Sequence, residues 1–212
     1  LADAAFFSGG LERAATLWRG LLADFGRRRG PERAAVHARL AVVLGAQGDR
    51  PGALAELESA CGMDRTDAAI LSAYATAAFD AGEYDRADKS CRALLLLARR
   101  QQSGTEPAAV AASEVLYLAH RIARTRGQEA QAAEQLTSAF ESAAASTFEC
   151  RRLAAVALAD GAPDVALSAL GRRAGSVQER RGRQELFSEM ARVLETMGRS
   201  EEALDAHLKA LE

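Results

Sequence analysis

His37 to Ala60 reads HARLAVVLGAQGDRPGALAELESA, and Leu71 to Leu94 reads LSAYATAAFDAGEYDRADKSCRAL. The second segment restates the first 34 residues later, with Gly82 in the place of Gly48. Eight residues before the glycine stand Leu40 and Tyr74, seven before it Ala41 and Ala75, and four before it Leu44 and Ala78. Five after it stand Ala53 and Ala87, and nine after it Leu57 and Cys91. Apolar and small residues at these offsets mark one face of a helix on each side of the glycine. A period of this length without strand signals specifies stacked helical hairpins. The glycine suits the turn because it enters the left-handed region without strain.

The same pattern extends to both ends of the chain. Gly127 has Ala119 and Ala123 before it, then Ala132, Leu136 and Ala139. Gly161 is flanked by Leu153, Ala154 and Ala157, then Ala166 and Leu170, and Gly198 by Met190, Ala191 and Leu194, then Ala203 and Ala210. Gly9 follows Leu1, Ala2 and Ala5 and precedes Ala14 and Trp18. The glycine spacings are 39, 34, 45, 34 and 37 residues. Six units result, at about 1–30, 31–67, 68–106, 107–145, 146–178 and 179–212. The largest insertion, around Ser103-Gly104-Thr105-Glu106-Pro107, reads as a surface loop and a hinge between sub-domains. The chain starts inside a first helix and stops inside a second, so it is expected to be a piece of a longer protein.

Residue by residue the pattern resembles the tetratricopeptide repeat. The small pair at the helix crossing of such a unit would be Ala41 with Ala53, and Ala75 with Ala87. His120 takes the small position of the unit around Gly127 and is expected to force that hairpin apart. The resemblance implies an all-α fold, a right-handed α-solenoid of about twelve helices in antiparallel pairs. It also implies that first helices line a concave groove. The groove-facing stripe would be the residues ten, six and three before each glycine. These are Ala38, Val42 and Gly45; Ser72, Thr76 and Phe79; Tyr117, Arg121 and Arg124; Arg151, Ala155 and Leu158; and Ser188, Arg192 and Glu195. The early stripe is small and apolar, whereas the later one carries four arginines and a tyrosine. Arginine forks bind carboxylates bidentately. Ser72, Thr76, Phe79, Tyr117, Arg121, Arg124, Arg151 and Arg192 are therefore the expected partner-binding residues, and the expected partner is a protein or acidic peptide. The lysine–asparagine clamp by which co-chaperone members of this family grip a chaperone tail is excluded, because the chain has no asparagine.

Composition narrows the function further. The chain has 212 residues, 27 basic and 29 acidic, for a net charge of −2. No global field favours nucleic acid or an anionic membrane. Only Lys89 and Lys209 are lysines, and with the abundant alanine this reads as the codon usage of a high-GC bacterium. Cys61, Cys91 and Cys150 are far apart and fall at packing positions, as expected of thiols in a reducing cytoplasm. The longest aliphatic run, Leu94 to Leu97, is far too short to span a bilayer. Arg27-Arg28-Arg29 reads as a loop beside a helix C-terminus, where cations are favoured. The arginines between Arg172 and Arg183 lack the interleaved aromatics of a nucleic-acid surface. No phosphate loop, zinc spacing or nucleophile elbow is present, and His37, His120 and His207 sit at helix-packing positions in separate units. The sequence thus describes a non-catalytic scaffold or adaptor with no cofactor and no metal. Two other classes remain open: a sensor domain of a larger signalling or transcription-regulating protein, taking a small hydrophobic or peptide ligand, and an array that self-associates through its uncovered terminal units.

Overall fold

The computed structural model describes residues 1–26, 29–102 and 110–211. Among them are twelve α-helices and no strand: α1 (Ala2–Phe7), α2 (Leu11–Phe25), α3 (Pro31–Ala46), α4 (Arg50–Met63), α5 (Ala68–Asp80), α6 (Tyr84–Gln102), α7 (Ala112–Thr125), α8 (Glu129–Ala145), α9 (Thr147–Ala159), α10 (Pro163–Ser176), α11 (Arg180–Thr196) and α12 (Ser200–Leu211). They pair as six hairpins, α1/α2 through α11/α12, so the fold is an all-α solenoid of antiparallel helix pairs. The chain divides into two compact units, Leu1–Val110 and Ala111–Glu212. The surface loop expected at Ser103–Pro107, with its hinge, and Arg27 and Arg28 of the triple arginine lie outside the described residues.

Each hairpin turns in the same way. Gly9, Gly48, Gly82, Gly127, Gly161 and Gly198 have φ between 71° and 85°. The residue after each glycine donates its N–H to the carbonyl five positions back, as in Asp49 to Leu44 and Ala162 to Ala157, at 2.8–3.0 Å. The glycine N–H bonds the carbonyl three back, as in Gly82 to Phe79 at 2.9 Å. This pair of bonds satisfies carbonyls that the end of the first helix leaves open. A Cβ would meet nothing within 4 Å at any of the six glycines, so backbone conformation and not space requires glycine there.

In the first unit, α3 buries Ala34, Val36, His37, Leu40, Ala41, Val43 and Leu44. Asp49 caps α4 by accepting from Gly52 N–H, and Asp67 caps α5 by accepting from Ala69 and Ile70. Burial of the small pairs, Ala41 with Ala53 and Ala75 with Ala87, brings the two helices of each hairpin together. Ala34, Ala60 and Ile70, with Cys61 and Met63 beside them, carry the core from one hairpin to the next.

The second unit packs Tyr117, Ala139, Ala143, Cys150, Leu153, Ala157, Ala166, Ala169, Leu170, Ala174 and Leu186 into one core. At the crossing where His120 is expected to force the hairpin slightly apart, its ring is buried and bonded. Its Nδ1 lies 2.8 Å from the carbonyl oxygen of Ala132, the small residue opposite, and its ring stacks on Tyr117. The crossing is hydrogen-bonded where the other hairpins have methyl groups. A second link joins consecutive hairpins: the Glu149 carboxylate on α9 accepts from the N–H groups of Ala112 and Ser113 at 3.0 and 2.8 Å. The Ser113 hydroxyl returns a bond to the Glu149 carbonyl at 2.8 Å. The start of α7 has no cap of its own, so a carboxylate from the next hairpin serves as one, where the helix dipole favours negative charge.

Candidate partner-binding face

The first helices of the second unit, α7, α9 and α11, carry the arginines singled out in the sequence. Their neighbours in the fold decide what each can do. Tyr117 does not face solvent. It is 4% exposed, and its hydroxyl donates to Asp160 Oδ2 at 3.0 Å. Burial, then the bond to Asp160, pushes its pKa up to about 12. Arg121 lies 2.7 Å from Asp160 Oδ1, so Tyr117 and Arg121 share one carboxylate at the end of α9. Asp160 is the C-cap of α9, where the helix dipole disfavours an anion, so the nearby guanidinium offsets a local cost.

Arg151 on α9 is neutralised in a similar way by α11. Its guanidinium lies 2.6 Å from Glu189 and 3.2 Å from Glu185. Arg152, which the sequence stripe omits, pairs with Glu114 of α7 at 2.6 Å. Arg124 and Arg192 differ: both are exposed, and neither has an ion-pair partner among the described residues. Between their helices α9 presents Ala155 and Leu158, both exposed. Arg192 also lines an open pocket of about 430 Å³ with Arg151, Arg181, Gln184, Glu185, Ser188, Glu189 and Ala210.

Other arginines also have partners within the unit. Arg173 donates to the carbonyls of Ala144 and Ala145 at the end of α8, at 2.9 and 3.2 Å. Arg172 lies over the Phe140 ring, 4.9 Å from its centroid. Arg181 pairs with Glu185 one turn along α11. In the first unit the stripe is uncharged: Val42 is exposed, Thr76 is exposed, Ser72 is half-buried, and Phe79 is half-buried with its ring tilted against Tyr84. A separate apolar pocket of about 300 Å³ lies among Cys61, Gly62, Leu71, Tyr74 and Ala93, rimmed by Glu58 and Arg65.

Sequence reasoning missed the acids, Asp160, Glu185 and Glu189, that take up Arg121 and Arg151. Asp160 carried a readable signal, since an acid at a helix C-terminus calls for a cation. Glu185 and Glu189 look like any solvated helix charges until α9 is placed beside them. No group of three or more metal-ligating side chains occurs among the described residues, and none of the described helices is long and apolar enough to cross a membrane.

No family model and no curated protein matches the chain. Solved structures do match in fold. A tetratricopeptide repeat protein from Parabacteroides merdae is 16% identical at a TM-score of 0.57, covering 97% of this chain and 74% of that one. PilF of Pseudomonas aeruginosa is 17% identical at 0.53, with 99% and 85% covered. A putative kinesin light chain with nearly identical TPR-like repeats from Podosopora anserina is 18% identical at 0.50, with 99% and 90% covered. At such identities the likeness concerns the fold, which is that of the tetratricopeptide repeat.

Proposed function

We propose that this chain is a non-catalytic protein-binding module that takes a peptide or partner segment on the face of its first helices. The observation that carries the reading is the exposed row formed by Arg124, Ala155, Leu158 and Arg192 on α7, α9 and α11. Helices fixed by the Glu149 cap and by the Asp160 and Arg151 pairs hold that row in place without a ligand. A preformed surface loses little ordering entropy on binding. Tyr117, Arg121 and Arg151 belong to the site as the scaffold beneath it, and Ser72, Thr76 and Phe79 form a smaller uncharged stretch in the first unit. The partner is a protein or peptide with acidic character.

Selection from a random displayed-peptide library tests the reading, with a counter-screen on Ala155→Trp, which fills the centre of the row from an exposed position. Enriched peptides that bind wild type and are lost on Ala155→Trp are expected. Peptides indifferent to that substitution, or no enrichment, would remove the face as the binding site.

Self-association is a second reading, favoured by α12. Its Leu204, Leu208 and Leu211 are exposed along one stripe. Leu54 and Leu167, at the position of Leu204 in earlier hairpins, are buried or packed against the following hairpin. A helix from a second copy would cover the stripe in the same manner. Sedimentation mass that rises with concentration, and that stays monomeric for Leu204→Asp/Leu208→Asp, is the expected outcome. A wild type that is monomeric at high concentration rejects this reading.

A further inference from the structure

The four arginines of the second unit's expected stripe, Arg121, Arg124, Arg151 and Arg192, are not equivalent. Arg121 has Asp160 at 2.7 Å, and Arg151 has Glu189 at 2.6 Å. A partner carboxylate reaching either would have to displace an acid already held by the fold. Arg124 and Arg192 have no such acid among the described residues, and they stand on the two outer helices of the row, α7 and α11. Ala155 and Leu158 of α9 lie between them, with Leu158 41% exposed.

Resting on the binding face described above, we infer that the segment it takes is extended in the polyproline-II manner and carries two carboxylates six positions apart with an apolar side chain midway. The spacing follows from packing. Packed helix axes lie about 8–10 Å apart, so two such steps from α7 to α11 would put Arg124 and Arg192 roughly 16–20 Å from each other. A chain in the extended polyproline-II conformation advances about 3.1 Å per residue and turns every third side chain to one face, so about six residues separate the two carboxylates and the side chain midway shares their face. The central residue of the segment then falls over Ala155 and Leu158, where neither partner has a charge to desolvate. Two pairs are needed because one exposed arginine–carboxylate pair is weak and screened by salt. Linked through one segment, the second contact becomes intramolecular. A polyanion such as nucleic acid is disfavoured, because Glu185, Glu189 and Glu195 share the face of α11 with Arg192 and would oppose phosphates between the two forks.

The test is fluorescence anisotropy with labelled, end-capped peptides. The probe Glu-Ser-Ser-Leu-Ser-Ser-Glu is expected to bind, and more weakly as salt rises. Drawing its glutamates two positions closer, changing either to glutamine, or changing leucine to serine should each weaken binding by about tenfold, as should Arg124→Ala or Arg192→Ala. Both arginines are exposed, and circular dichroism checks that the variants keep their helices. Equal binding of the closely spaced or glutamine peptides, or of the Arg124→Ala/Arg192→Ala double variant, overturns the inference. Displayed peptides that require Ala155 but tolerate the double variant also overturn it, while leaving the face as the binding site. Failure of the displayed-peptide selection itself removes both.

Discussion

Glu149 is 7% exposed, and its two oxygens take two backbone N–H groups that nothing else satisfies. Hydrogen bonds to a charged acceptor contribute about 1.5–3 kcal/mol each in net terms, and leaving buried donors unmet carries a further cost. Glu149→Ala should therefore lower stability by about 2–3 kcal/mol, seen as an earlier urea midpoint, while Glu149→Gln should cost roughly half of that. A midpoint unchanged in Glu149→Ala would mean that water replaces the cap. The cysteines give a second expectation at this scale. Burial, first among the causes, pushes Cys91 up to about 12 and Cys150 and Cys61 up to about 11 from an ordinary 9.0, and nearby acids add to it. Tyr117 shifts in the same direction. The folded chain thus holds these protons more tightly than the unfolded chain. The resulting stability is complete below pH 9.0 and is lost as pH rises toward about 12. Urea midpoints should fall across that window. At pH 8, Cys91 and Cys150 should be unreactive toward an aromatic disulfide reagent until denaturant is added, with Cys61, half-buried, reacting slowly.

The hairpin was the most legible element, because its turn makes a demand that one residue type meets. Six glycines were readable from their offsets, and all six have positive φ. Their role predicts opposite signs for two superficially identical changes. Gly161→Ala places a Cβ at φ 72° with nothing nearby to clash, so only backbone strain counts, about 1–2 kcal/mol of destabilisation. Gly20→Ala, in the middle of α2 and also without a neighbour for its Cβ, should stabilise by about 0.5–1 kcal/mol. Thermal melts of the two variants check this, and shifts of the same sign would contradict it. Less of the candidate face was readable. The stripe rule placed Arg121, Arg124, Arg151 and Arg192 on first helices, but it could not tell compensated arginines from open ones. That distinction depends on Asp160, Glu185 and Glu189, which lie 34 to 39 residues away along the chain and come close only when hairpins stack. Tyr117 was placed on the face by the same rule, yet it turns under α9. Its bulk fills the core where the small residues of α8 and α9 leave room.

Across the whole molecule, each unit has its own core, and a repeat array draws its stability from hairpins and the interfaces between neighbouring hairpins. Among the described residues, the core that runs from Tyr117 to Leu186 is built from the second unit. Residues 111–212 expressed by themselves should accordingly give a helical spectrum and a cooperative melt. A molten, non-cooperative profile would contradict this. The borrowed cap on α7 has a further consequence, one for how the chain is made. When α7 leaves the ribosome its first N–H groups have only water as acceptor, and the carboxylate that caps them in the fold is encoded 36 residues downstream of Ser113. Hairpin four can form its turn at Gly127 on its own, but its leading end frays until Glu149 emerges and α9 winds against it. The pace of translation between those two points therefore sets how long a half-finished hairpin stays open to proteases.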